Sequence, residues 1–205
     1  MRELLENLIR NKNLKHLDLE DIGGGDIVRR IRPTLLSDVV RNLQTVNLSK
    51  CGLTKRQIRE LLGEGLQGDF KLRSLNISFN RKLSLVQTEL ISSLANLHTL
   101  NVSGCDLSPS QLSILFRDIR DGNCVRELDL SQVSLELIWS VSRLARLNLS
   151  YSGLSQERIV VLLTNLYVVP VVRTTLDIRQ NLPPLQRAAI REEARKLNIM
   201  EMLKI

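Results

Sequence analysis

LQTVNLSKCGL, residues 43–53, and LHTLNVSGCDL, residues 97–107, decide the fold. Each has an apolar residue at its first, fourth, sixth and eleventh positions, Asn at the fifth and Cys at the ninth. Outward from them, the hexad LxxLxL, with Val or Ile allowed, starts at Leu14, Leu43, Leu72, Leu97, Val125 and Leu144, and a decayed copy starts at Arg173. The ninth position holds Cys51, Asn80, Cys105, Ser152 and Asn181, with Val133 in the fifth copy. Successive copies are 29, 29, 25, 28, 19 and 29 residues apart. Self-similarity at such a period marks a stack of supersecondary units, each too small to bury its apolar face alone.

Within a hexad the fourth and sixth residues share a parity. A strand there points both to one side and turns the third, fifth and seventh residues to the other. The segments between hexads alternate in kind. LTKRQIRELLGEGLQGDFK, LSPSQLSILFRDIRDGNC and LSQERIVVLLTNLYVVPVV form one class; IRPTLLSDVVRN, LVQTELISSLAN and the short LELIWSVSR form the other. Thr54 with Gln57, Ser84 with Gln87 and Ser108 with Gln111 have capping-box spacing and predict helix starts, with Pro109 suited to a first helical position. Ile58, Leu61, Leu62 and Leu66 recur at helical spacing, leaving Lys55, Arg59 and Glu64 for solvent.

The consensus LxxLxLxxN/CxL resembles the leucine-rich repeat, and alternating repeats of about 28–29 residues resemble its ribonuclease-inhibitor-like subfamily. That resemblance implies an α/β fold: a right-handed solenoid curved like a horseshoe, with a parallel β-sheet on the concave face and helices on the convex face. The organisation read from the chain is a half-repeat helix over 1–13, about seven repeats over 14–181 and a capping helix over 182–205, in one continuous domain. Leu4, Leu5, Leu8 and Leu14 match Leu115, Phe116, Ile119 and Val125 in spacing, so the first residues are read either as a lid or as the middle of a longer array. In the last segment Leu185, Ala189, Ile190, Ala194 and Leu197 are expected to face the stack. The cluster from Ile199 to Ile205 offers a second role, self-association.

The 205 residues carry a net charge of +7 and are 43% apolar, enough for a core. Three Cys exclude a disulfide scaffold. No stretch has the length of a transmembrane segment and the start lacks a signal-peptide core, so a cytoplasmic or nuclear protein is expected. Cys51 and Cys105 are expected to be buried thiols donating to loop carbonyls, and no cofactor or metal is expected. No GxSxG, HExxH or GxxxxGK[ST] pattern occurs, and the reading is non-catalytic. Gly23-Gly24-Gly25 before a basic helix over Asp26–Ile31 is read as a capping turn. Four Asn-x-Ser sequons, at Asn47, Asn76, Asn101 and Asn148, follow from the repeat itself.

The outward columns are the candidate surface. The fifth position reads Asp18, Asn47, Asn76, Asn101, Asp129, Asn148 and Asp177, and the seventh Glu20, Ser49, Ser78, Ser103, Ser131, Ser150 and Arg179. They form either polar ladders open to a ligand or a neutral consensus. The second and eighth columns vary, and Arg73, Phe79, Arg126 and Tyr151 in them are residue types that dominate interface energies. With Asn47, Asn76, Asn101, Asp129 and Asn148 they make up the candidate binding residues. The expected function is a protein-binding scaffold. Nucleic-acid or acidic-lipid binding is the alternative on charge, and small-GTPase regulation a third, because the activating protein for Ran is built from similar repeats. Two further expectations concern the short fifth connection: rapid amide exchange over Val133–Leu137, and the setting of Trp139, either exposed or filling space.

Overall fold

Alternation of apolar and polar residues gives each hexad one face to bury, and the computed structural model aligns those faces in register. The structure describes residues 7, 11, 13–122, 124–133, 144–168 and 175–205. Most of the half-repeat expected over 1–13, Trp139 and most of Val133–Leu137 lie outside the described residues. Strands β1 (His16–Asp18), β2 (Thr45–Asn47), β3 (Ser74–Asn76), β4 (Thr99–Asn101), β5 (Glu127–Asp129), β6 (Arg146–Asn148), β7 (Thr175–Asp177) and β8 (Leu203–Lys204) form one parallel sheet in chain order. Leu17, Val46, Leu75, Leu100, Leu128, Leu147 and Leu176, the fourth residues of their repeats, pair in one line across it.

Parallel neighbours need crossovers, and these alternate as the sequence does. Between β1 and β2 run the short α1 (Asp26–Arg29) and α2 (Pro33–Asn42). Between β2 and β3, α3 (Lys55–Glu60) continues into a π-turn over Leu61–Gly65. Two 3₁₀ segments, Arg81–Leu85 and Thr88–Asn96, join β3 to β4. Helices α4 (Pro109–Gly122), α5 (Gln156–Val168) and α6 (Pro184–Lys196) belong to the later repeats. The core between sheet and crossovers is aliphatic, with Leu48, Leu61, Ile77, Leu94, Leu115 and Leu149 fully buried. α1 stops two residues short of the expected Ile31.

Two capping boxes form as read. The Gln57 N–H donates to Thr54 Oγ1 and the Thr54 N–H to Gln57 Oε1; Gln111 and Ser108 repeat the exchange. Each glutamine, 1% exposed, also spends its amide N–H₂ on the crossover before its own: Gln57 Nε2 on the carbonyls of Val28 and Ile31, Gln111 Nε2 on those of Leu83 and Val86. The third expected start, Ser84 with Gln87, is corrected. Ser84 lies inside the first 3₁₀ segment, where its hydroxyl donates to the Arg81 carbonyl, and Gln87 precedes the second with no side-chain cap. A 3₁₀ turn advances about 2.0 Å per residue against 1.5 Å in an α-helix, so a short crossover covers the sheet width with fewer residues.

The C-terminal segment holds more than the helix read from sequence, because Leu203 and Lys204 pair with Leu176 and Asp177 as an eighth strand. Within α6 the inward stripe is narrower than expected. Ile190 and Ala194 are buried, whereas Leu185 is 87% exposed and Ala189 is exposed as well. Ile199 is buried, and Met200, Met202, Leu203 and Ile205 pack half-buried against the core. Among the described residues no helix is long and apolar enough to cross a membrane.

Candidate protein-binding surface

The fifth-column side chains do backbone work. In all seven repeats the Asp or Asn Oδ1 accepts the N–H two residues on, at 2.9–3.2 Å: Asp18 from Glu20, Asn47 from Ser49, Asn76 from Ser78, Asn101 from Ser103, Asp129 from Ser131, Asn148 from Ser150 and Asp177 from Arg179. This Asx bond bends the chain out of the strand. The eighth residue completes the bend in the left-handed region, with φ between +52° and +61° at Asp21, Lys50, Phe79, Gly104, Gln132, Tyr151 and Gln180. The reading of the seventh column as outward is therefore corrected: the bend tucks Ser49, Ser78, Ser103, Ser131 and Ser150 in, each no more than 8% exposed.

The ninth column closes the same turn from inside. Cys51, Asn80, Cys105, Ser152 and Asn181 donate to the carbonyls of Leu19, Leu48, Ile77, Leu130 and Leu149, each the sixth residue of the preceding repeat. Asn80 and Asn181 add a second function that Cys cannot, since their Oδ1 atoms accept the N–H groups of Leu53 and of Ser152 and Leu154. Val133 is buried with no donor to offer.

What stays open is the third and fifth columns of the sheet face, bordered by the second and eighth. Over β4–β8 this face forms a shallow cleft of about 660 Å³ whose polar walls include Asn101, Glu127, Asp129, Arg146, Asn148 and Asp177. Three of the candidates, Asn101, Asp129 and Asn148, lie in it. Asn47 and Asn76 lie on the same face over β2 and β3, outside the cleft. Arg73 is exposed and Arg126 half-buried, both in the second column at the strand entry, while Phe79 and Tyr151 stand at the strand exit, 38% and 60% exposed. The nine candidates thus divide among the sheet face and its two edges. Glu127, Arg146 and Lys204 lie outside the columns read from the sequence, although writing out the third column finds the first two; Asp177 stands in the outward fifth column but not among the nine candidates.

The sheet face changes character along its length. Over β2–β4 the third and fifth columns are neutral: Thr45, Ser74 and Thr99 beside Asn47, Asn76 and Asn101. From β5 onward charges enter in pairs. Arg146 Nη1 lies 3.4 Å from Glu127 Oε1, and Asn148 Nδ2 donates to Asp129 Oδ2. Burial pushes the Asp177 carboxyl up, but hydrogen bonds from the Arg179 guanidinium and backbone outweigh it and hold it below the usual carboxylate range. At the opposite end, hydrogen bonds from Lys50 and Asn47 lower Glu20. Among the described residues no group of His, Cys, Asp and Glu is placed to hold a metal.

No protein family profile matches the chain, and no curated protein matches it. Among solved structures it is similar to the leucine-rich repeat-containing protein LegL7 from Legionella pneumophila, at 18% identity over 84% of this chain, with a TM-score of 0.55. The chain spans 61% of that protein's length. The fold is a leucine-rich-repeat solenoid. It is also similar to the tropomodulin C-terminal domain of Caenorhabditis elegans, at 12% identity over 95% of this chain and 93% of that one, with a TM-score of 0.37.

In the leucine-rich-repeat setting the cysteines are turn donors. Burial raises the Cys51 thiol to about 11 and the Cys105 thiol to about 12, so both stay protonated and unreactive at neutral pH. Cys124 is half-exposed. Iodoacetamide at pH 8 is therefore expected to alkylate Cys124 in the native protein, and Cys51 and Cys105 only after unfolding, as read by mass spectrometry. Equal labelling of all three in the native state would contradict the burial of the turns.

Proposed function

We propose that the chain is a non-catalytic protein-binding module that presents its sheet face, and the exposed residues at the strand entries and exits, to a protein partner. One observation carries this reading: seven aligned repeats spend their fourth, sixth and ninth residues on the core and turns, leaving an open face bordered by second and eighth columns that vary from repeat to repeat. A repeat array gains recognition by such variation over a constant frame. Repeats of about 28–29 residues with helical crossovers between their strands support the ribonuclease-inhibitor-like subfamily, and three free cysteines, two of them turn donors, support a cytoplasmic or nuclear setting.

Replacing Arg73, Phe79, Arg126 and Tyr151 by Ala is expected to cost about 1–3 kcal/mol of partner affinity at each hot spot, with the fold intact. Calorimetry against an identified partner measures it. An unchanged affinity of the quadruple variant overturns the assignment of these residues. Nucleic-acid or acidic-lipid binding draws on the +7 charge and on four cations gathered at one strand exit, Arg29, Lys55, Arg81 and Lys82. Specific binding that survives moderate salt would favour it, whereas heparin affinity that vanishes with salt leaves the protein partner as the reading.

A further inference from the structure

The exits of β2–β4 form a second cleft, separate from the sheet face, and we propose that it takes an acidic peptide segment of a partner protein, held by one aliphatic or aromatic anchor. This rests on the chain being a protein-binding module, but not on the sheet face being the surface used. The cleft, of about 840 Å³, is bordered by Arg29, Lys55, Phe79, Arg81, Lys82 and Leu85, with Asp106 the one carboxylate in its lining. Arg29 Nε donates to the Gly52 carbonyl at 2.9 Å, which fixes its guanidinium at the cleft, and the carboxylates nearest Arg29 and Arg81 are exposed, Asp26 at 3.7 Å and Asp106 at 3.8 Å, pairs weakened by solvent. Of the five large apolar side chains that stand exposed among the described residues, two, Phe79 and Leu85, share this one concavity.

Phe79 is also held in place against its own backbone preference. At φ +58° it occupies a conformation that bulky residues avoid. Its ring lies against Gly104, where a Cβ would stand 2.7 Å from Phe79 Cδ1, so the absence of a side chain one repeat on makes room for it. Lys50 Nζ stands 5.9 Å from the ring centroid and is itself 3.3 Å from Glu20 Oε1. An exposed aromatic wedged against Gly104 at the wall of a cationic cleft fits an anchor that inserts between Phe79 and Leu85 while its flanking carboxylates meet the four cations. A single nucleic-acid strand fits less well. Stacking needs successive aromatic platforms, and the next exposed aromatic among the described residues, Tyr151, is three strands away, about 14 Å. The apolar groups line a concavity that a flat bilayer surface does not enter.

The test uses fluorescence anisotropy with labelled short peptides in which glutamates flank a Leu-Phe pair. Controls replace the pair by serines or the glutamates by lysines, and an oligo-dT of equal charge is the nucleic-acid probe. The Leu-Phe peptide is expected to bind about tenfold or more tightly than either peptide control and than oligo-dT, with affinity falling as salt rises. Phe79→Ser and Arg81→Glu are each expected to weaken it about tenfold; Arg81 is 82% exposed, so its variant keeps the native melting temperature. Arg146→Ala on the sheet face, at a side chain 71% exposed, is expected to leave it unchanged. Equal binding of the serine control, indifference to both edge variants, or tighter binding of oligo-dT overturns the proposal. Loss of peptide binding in Arg146→Ala alone moves the site to the sheet face, which ends this proposal and leaves the protein-binding reading standing. Peptide binding at the edge with a partner indifferent to sheet-face variants keeps this proposal and ends the assignment of the sheet face as the surface used.

Discussion

Asn80→Ala is expected to lower unfolding stability by about 3–5 kcal/mol, more than any other single change in the turns. The side chain is 1% exposed. Its Nδ2 donates to the carbonyls of Leu48, Ile77 and Ser78 at 2.8, 2.9 and 3.2 Å, and its Oδ1 accepts the Leu53 N–H at 2.9 Å. Alanine strands the Leu53 N–H and the Leu48 carbonyl in a dry turn, at about 1–3 kcal/mol each, and leaves a small void besides. Cys51→Ala removes only one weak donor to Leu19 and is expected to cost about 1 kcal/mol. Urea unfolding measures both. A loss below about 1 kcal/mol for Asn80→Ala would show that the turn finds other partners or admits water.

Truncation after Asn181 is the second large effect. It removes α6 and β8, and with them the Lys204 carbonyl that accepts the Ile178 N–H and the pairs Leu203 with Leu176 and Lys204 with Asp177. It also strips the cover made by Ile190, Ala194 and Ile199. Uncovering several hundred Å² of apolar surface at about 25 cal/mol per Å² costs several kcal/mol, and a bare parallel edge invites strand pairing between molecules. The expected result is a lower melting temperature with aggregation. A truncated chain that stays monomeric and equally stable would refute the capping role. A stable monomer derived from a dimeric parent would assign the segment to self-association instead.

The frame was legible because its signals are periodic. The fourth and sixth columns, the strand count up to seven, and the boxes at Thr54 and Ser108 follow from spacing alone. Ser84 with Gln87 has the same local spacing and no box, because the pattern specifies a turn and its cap without stating the rise per residue, and the short crossover settles on 3₁₀ geometry. The seventh column was misread since strict alternation assumes that the strand continues, whereas the Asx bond at the fifth residue ends it. The left-handed eighth column left almost no trace. Gly104 and Asp21 are ordinary there; Lys50, Phe79, Gln132, Tyr151 and Gln180 are not, and the tertiary turn imposes the conformation on them. β8 escaped notice because a two-residue strand needs only the open edge of β7, not a hexad. The sheet-face candidates were read by column, but cleft membership depends on which neighbours rise around them, and that is set by packing.

Gln57 and Gln111 give the stack a grain. Each sits in an α-helical crossover and grips two carbonyls of the crossover before it, and the two stand two repeats apart. In each preceding crossover one of the two carbonyls, that of Val28 or Leu83, also accepts an N–H of its own segment, from Ile31 and Val86, while the glutamine of the next crossover reaches both members of the pair. Neither member of such a couple is complete alone. Over these two couples the structural unit is a doublet: a single repeat inserted between a glutamine and its acceptors would part them, whereas the third crossover of this class carries Arg158 at the same position.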